Sequence, residues 1–77
     1  MKIYIMFFGA LADIAGAEKI ELQNIEDTEK LKEVLLRQYP LLKNKSYRIA
    51  VNKNLITKTQ KLYDGDTAAL LPPFAGG

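Results

Sequence analysis

The uncharged stretch IYIMFFGALA, which runs from Ile3 to Ala12, decides the fold. It opens with β-branched and aromatic residues, so it predicts a strand over Lys2–Phe8 that is buried on both faces. Gly9 ends that strand, and the Ala and Leu residues after it predict one or two helical turns up to Gly16. The same stretch fits the apolar part of a secretory signal, but a cysteine-free secreted domain of this size is unusual, which disfavours that alternative.

A second strand and one main helix follow. Ile20 and Leu22 alternate with polar residues, which predicts a half-buried strand that forms a hairpin with the first. Asp27 or Thr28 can accept hydrogen bonds from the free amides of a helix start. An apolar stripe with helical spacing then runs to a helix end near Gln38, where Pro40 disfavours helical backbone at the preceding residue. The stripe consists of Leu31, Val34, Leu35 and Gln38, widened by Leu36 and Tyr39.

The remaining chain predicts three strands. They cover 47–51, 55–57 and 67–71, with a tight turn at Asn52-Lys53-Asn54 and another at Asp64-Gly65-Asp66. The order ββαβββ predicts an α+β fold in which one main helix packs on one face of a mixed sheet of about five strands. We expect a single domain over 1–77, with 72–77 as an extended C-terminal tail.

Composition excludes several functions. The 77 residues include no His, Cys or Trp. A cysteine nucleophile, a thiolate metal site and a histidine-dependent triad are therefore impossible. The absence of cysteine also favours a reducing compartment, and we expect the protein in the cytoplasm. A domain this small has little room for a deep active site of its own.

Charge is segregated along the chain although the net charge is only +2. Residues 13–33 carry seven acidic side chains, whereas 34–63 carry seven basic ones and no acid. This pattern indicates a solvated dipolar surface or a basic docking face for an acidic partner. A nucleic-acid surface is disfavoured because no aromatic residues alternate with arginine.

The sequence Leu70-Leu71-Pro72-Pro73-Phe74-Ala75-Gly76-Gly77 carries the strongest functional signal. Two prolines end the last strand and hold the following backbone extended. One interpretation is a frayed end without a role. The other is an arm that presents the α-carboxylate of Gly77, since glycines lack a Cβ and can pass through a narrow channel. Asp64 and Asp66 are interpreted as turn formers, because two carboxylates make an incomplete metal site.

The run Phe7-Phe8-Gly9-Ala10-Leu11-Ala12-Asp13-Ile14-Ala15-Gly16 resembles the YFA-x-L-R-E-x-AG stretch of molybdopterin synthase small subunits. The segments 50–52, 62–66 and 69–77 are similar too, so the resemblance covers nearly the whole chain. Ala12-Asp13 departs from the Arg-Glu of the family. The resemblance implies the ubiquitin-like β-grasp fold, with the first and last strands parallel at the sheet centre.

The resemblance also implies a sulfur carrier that is not catalytic alone but is one subunit of an enzyme complex. An ATP-dependent activating enzyme would adenylate Gly77, and a sulfur donor system would convert the adenylate to a thiocarboxylate. Sulfur would then pass to cyclic pyranopterin monophosphate within a heterotetramer with the large synthase subunit. The chain itself would bind no cofactor, metal, nucleic acid or membrane.

Site residues follow from the same resemblance. Pro73, Phe74, Ala75 and Gly76 would enter the channel of the partner, with Gly77 as the reactive end. Leu55 and Leu71 match an apolar docking patch, with ordinary core packing as the alternative. A thiamin-pathway sulfur carrier and a ubiquitin-like protein modifier remain alternative functions.

Overall fold

The computed structural model describes residues 1–73, which form five strands, two α-helices and one 3₁₀-helix. The strands are β1 (Lys2–Phe7), β2 (Lys19–Gln23), β3 (Arg48–Val51), β4 (Asn54–Leu55) and β5 (Thr67–Leu71). The helices are α1 (Ala10–Ala15), α2 (Thr28–Gln38) and the 3₁₀-helix Pro40–Asn44.

The strands form one mixed sheet in the order β2-β1-β5-β3-β4. β1 pairs antiparallel with β2 and parallel with β5, while β5 pairs antiparallel with β3. The last strand therefore lies at the centre, next to the first. This topology confirms the predicted order and the predicted parallel pairing of the two strands.

α2 packs its apolar stripe against one face of the sheet. The side chain of Asp27 accepts a hydrogen bond from the Lys30 backbone amide at 2.8 Å, which caps the free amides of the first turn. Leu31 and Leu35 are fully buried. Leu36 is 42% exposed, so the prediction that it widens the stripe is wrong; it points away from the sheet because it directly follows a core position.

The hydrophobic core lies between α2 and the inner face of the sheet. Ile3 and Ile5 of β1 are fully buried in it, and Phe7 packs edge-on against Tyr39 with ring centroids 5.7 Å apart. The opposite face of β1 is only half-buried, and Phe8 is 41% exposed. The prediction of burial on both faces is therefore wrong, because within residues 1–73 helices cover one face only.

Two further details differ from the sequence prediction. β4 has two residues rather than three, and the amide of Ile56 donates to the Ile49 carbonyl at 3.0 Å just beyond it. The 3₁₀-helix was not predicted; it starts at Pro40, a residue suited to a helix start. Across residues 1–73 the helices are all too short or too polar to cross a membrane.

Candidate functional site

The tail begins where β5 leaves the centre of the sheet. Leu70 is fully buried, Leu71 is half-buried, and Pro72 and Pro73 follow at the surface. The backbone amide of Phe8 donates to the Leu70 carbonyl at 3.2 Å, extending the β1–β5 pairing to the point of exit. The predicted site residues Phe74, Ala75, Gly76 and Gly77 lie outside the described residues.

Gly9 lies against the base of the tail. Its backbone has φ 58° and ψ −137°, a conformation that residues with a Cβ rarely adopt. A Cβ added there would be 3.2 Å from Cγ of Pro72, closer than most such contacts. The turn between β1 and α1 is therefore packed tightly against the first residue of the tail, Pro72.

The opposite end of β5 is held by a side-chain network. The side-chain Nδ2 of Asn52 donates to Asp66 Oδ1 at 2.9 Å, and Oδ1 of Asn52 accepts from the Thr67 backbone amide at 3.0 Å. Asp66 Oδ2 accepts from the Tyr63 amide at 2.8 Å, and Asp64 Oδ1 accepts from the Lys2 amide at 2.7 Å. These bonds confirm the turn-forming role predicted for both aspartates. The role of Asn52 was not predicted, because it depends on a turn 14 positions away.

The outer face of the sheet, opposite α2, carries an apolar groove. A single cross-strand row runs from Met6 through Ala69 and Ala50 to Leu55. The two small alanine side chains leave a depression of about 500 Å³ beside the exposed ring of Phe8. We call it the outer groove; it is lined by Met6, Phe8, Ala50, Asn52, Lys53, Thr67 and Ala69.

Leu55 and Leu71 both lie outside the core cluster, at the edges of this face. Leu55 is 49% exposed and pairs with Ala50, while half-buried Leu71 pairs with Arg48 in the adjacent row. Their predicted contact with a partner stays a prediction. The sequence analysis missed Phe8 as an outward residue, because its alternation with Tyr4 and Met6 shows which residues share a face of β1 but not whether that face is covered.

Two further observations concern metal-ligating and titratable side chains in residues 1–73. Within that range no group of three or more acidic, His or Cys residues is close enough to hold a metal ion. Burial raises the pKa of the Tyr47 phenol above its ordinary value, and the nearby Glu29 carboxylate raises it further.

A central parallel strand pair, one helix on one face and a tail that leaves the central strand define a β-grasp protein of the ubiquitin-like class. The model of the ThiS family matches residues 5–77. The chain therefore belongs to the ThiS family.

Relatives and solved structures agree with this assignment. The molybdopterin synthase sulfur carrier subunit of Mycobacterium tuberculosis is 34% identical and aligns over 100% of this chain and 99% of its own. The subunit of the same name from Chlamydomonas reinhardtii is 30% identical over the full length of both chains. These similarities confirm the resemblance to molybdopterin synthase small subunits.

Among solved structures, a complex of subunits 1 and 2 of the molybdopterin-converting factor from Helicobacter pylori matches with a TM-score of 0.76 and 30% identity, covering 100% of both chains. The small archaeal modifier protein 1 of Methanosarcina acetivorans matches with a TM-score of 0.82 and 26% identity, covering 99% of this chain and 96% of its own. The same fold thus occurs both in a subunit of a molybdopterin-converting factor and in a small archaeal modifier protein.

Proposed function

We propose that this chain is the sulfur carrier subunit of a molybdopterin synthase, with the α-carboxyl group of Gly77 as the sulfur-bearing group. The observation that carries the proposal is full-length similarity to two relatives of that name. The absence of His and Cys supports it, because a carrier of this kind needs no catalytic side chain.

The chemistry starts from a poor electrophile. A carboxylate oxygen of Gly77 attacks the α-phosphorus of ATP on the activating enzyme, and pyrophosphate leaves. Sulfide supplied by the donor system then attacks the acyl carbon, and AMP leaves with the former carboxylate oxygen. Each thiocarboxylate carries one sulfur, so two charged carriers supply cyclic pyranopterin monophosphate with the two sulfurs of the dithiolene. Hydrolysis of each acyl–sulfur bond leaves the sulfur on the pterin and returns the Gly77 carboxylate. The acyl adenylate is a covalent intermediate that divides the difficult exchange of oxygen for sulfur into two easier displacements.

The geometry at the base of the tail supports this role. β5 is fixed at one end by the Asn52–Asp66 network and at the other by its pairing with β1. Pro72 and Pro73 have a restricted φ, so they limit the directions in which the backbone leaves the sheet. Gly76 and Gly77 lack side chains and suit a narrow channel in a partner that supplies the catalytic residues.

The proposed partner is the large synthase subunit, in a heterotetramer of two large and two small subunits. The Helicobacter pylori complex of subunits 1 and 2 supports a partner of this kind. We assign its docking surface to the outer groove, flanked by Leu55 and Leu71, with Phe74 as an additional anchor. An exposed apolar groove along the strand that leads into the tail suits the core of a protein interface.

Intact-mass measurement after coexpression with the activating enzyme and sulfur donor tests the proposal. We expect an oxygen-to-sulfur exchange located at Gly77 by fragmentation. A variant with one alanine appended after Gly77 keeps the folded domain and is the matched control; it should neither acquire sulfur nor support molybdopterin synthesis. Full molybdopterin synthesis by the extended variant would overturn the mechanism.

A ubiquitin-like protein modifier is the second candidate, favoured by similarity to the Methanosarcina acetivorans modifier. In that case the Gly77 carboxyl group forms an isopeptide bond with a lysine of a target protein. Gly-Gly remnants on lysines of digested cell protein would support this function. A thiocarboxylate that restores thiamin synthesis, but not molybdopterin synthesis, would instead identify a thiamin-pathway carrier.

A further inference from the structure

A second hollow, of about 450 Å³, lies on the α2 side of the sheet, away from the outer groove. Its walls are α2, the start of β3 and the segment that follows β4. We call it the basic hollow; it is lined by Thr28, Lys32, Tyr47, Arg48, Ile49, Ile56, Thr57, Lys58 and Thr59.

Hydrogen bonds fix one wall of the hollow, the segment that follows β4, to the start of α2. The Gln60 amide donates to Thr28 Oγ1 at 2.9 Å, and the Thr28 amide donates to the Gln60 carbonyl at 2.9 Å. The Leu62 amide donates to the Glu26 carbonyl at 2.9 Å. Since Thr28 is 1% exposed, these bonds attach the segment firmly to the start of α2.

The lining combines an apolar floor with cationic and hydroxyl groups. Ile49 is buried and Ile56 half-buried, while Lys32 and Lys58 are exposed. Among the described residues that line the hollow, none carries a carboxylate. Tyr47, which also lines the hollow, has a pKa raised first by burial and then by the nearby carboxylate of Glu29, an acidic group just outside the lining.

The hollow is also much larger than one small anion requires. Its volume falls in the range of roughly 300–1,000 Å³ that is typical of sites for sizeable ligands. An occupant that fills it must bring apolar atoms to the isoleucine floor and negative charge to the lysines. A peptide segment meets both demands, because neighbouring side chains can carry the two properties.

We propose that the basic hollow docks an extended acidic peptide segment of a partner protein, in which an apolar side chain is flanked by Asp or Glu. Charge complementarity identifies this occupant: Lys32 of α2 and Lys58 both line the hollow, and its remaining walls, 47–49 and 56–59, lie in the part of the chain that holds seven basic residues and no acid. Because the hollow and the outer groove lie on opposite faces of the sheet, both can be occupied at once.

Titration of the ¹⁵N-labelled full chain with a short synthetic peptide, one leucine flanked by Asp and Glu, tests this proposal. We expect saturable shifts of amide resonances over 47–49 and 56–59. The charge-reversal pair Lys32→Glu and Lys58→Glu should weaken binding about tenfold or more, because complementary charges set such contacts. The pair Arg37→Glu and Lys43→Glu has the same change in net charge outside the hollow and should alter affinity less than about twofold.

Peptide variants separate the hollow from general charge attraction without altering the protein fold. Leucine-to-serine substitution in the peptide should also weaken binding, and lysines in place of its acidic residues should abolish it. Absence of saturable binding would overturn the proposal, as would equal weakening by the control pair. Displacement of the peptide by an oligouridylate of equal charge, with the same shifted amides, would also overturn it in favour of a polyanion site.

Discussion

The side chains of Asn52 and Asp66 are joined by a 2.9 Å hydrogen bond that connects the β3–β4 turn to the turn before the central strand β5. Asn52 also has φ 49°, a left-handed conformation that asparagine tolerates better than most residues. One residue thus shapes its own turn and fixes the start of the strand that leads to the tail.

Removing this link should destabilise the domain. Asn52→Ala loses two side-chain hydrogen bonds and a favourable turn residue, so we expect a loss of about 1–3 kcal/mol in the free energy of unfolding. Urea denaturation measures it, and a double-mutant cycle with Asp66→Ala should give a coupling of about 0.5–1.5 kcal/mol. Lys53→Ala is the control, because Lys53 lies in the same turn at positive φ but does not take part in the hydrogen bond between Asn52 and Asp66. A coupling indistinguishable from zero would contradict the assignment.

A side chain at Gly9 should change both stability and function. Gly9→Val places a branched Cβ at positive φ and against Pro72, and we expect a loss of at least about 2 kcal/mol. Gly16→Val is the matched control, because Gly16 also has positive φ but open space around it. Sulfur loading at Gly77, measured on folded protein by intact mass, should fall for Gly9→Val only. Equal loading of both variants would show that sulfur loading at Gly77 does not depend on the close packing of Gly9 against Pro72.

The outer groove should govern binding to the large subunit. Phe8→Glu introduces a charge at the edge of an apolar interface, where we expect affinity to fall at least about 100-fold. Leu41→Glu is the control, since Leu41 is 66% exposed and does not line the groove. Isothermal titration calorimetry with the purified large subunit gives both affinities. If the two variants bind equally well, the docking surface lies elsewhere.

Tyr47 should make stability depend on alkaline pH. Its folded-state pKa is raised, chiefly by burial and secondarily by Glu29, so folding favours the protonated phenol. The stabilisation is complete below the unfolded pKa of about 10 and declines as pH rises from there through the folded value. Urea denaturation between about pH 8 and 11 should show this decline in the parent chain and a weaker one in Tyr47→Phe.

The control for this measurement is Tyr63→Phe, which removes a hydroxyl from a 61% exposed tyrosine. If it weakened the alkaline decline as much as Tyr47→Phe, the effect would not come from the environment of Tyr47. Each substitution removes one tyrosine, so a comparison of the two variants cancels the contribution of losing a titrating phenol as such.

The sequence predicted the order of the strands and α-helices because strong local signals marked each of them. Asp27 and Pro40 delimit α2, and alternation marks Ile20 and Leu22 as the inward residues of β2. The positive φ of Asn52 and Lys53 follows from turn chemistry that is visible in the sequence.

The outward face was beyond such reasoning. The apolar run Ile3–Phe8 is compatible with a strand covered on both faces and with one covered on a single face. Periodicity does not reveal what packs against a strand. The outer groove depends on Ala50 and Ala69 meeting across two strands, and the basic hollow depends on Thr28 meeting Gln60. The four tail residues 74–77 were assigned from their sequence alone and lie outside the described structure.

The parallel pairing of β1 with β5 also has a kinetic consequence. Next to this pairing, the bond from the Lys2 amide to the Asp64 side chain, in the turn before β5, spans 62 positions. Contacts this distant in sequence slow folding because a long loop must close first. Since the tail leaves the strand that closes this loop, a nascent or partly unfolded chain lacks the sheet that orients it. A partner that recognises the tail together with the outer groove would therefore select finished molecules, and discriminate against chains still being synthesised.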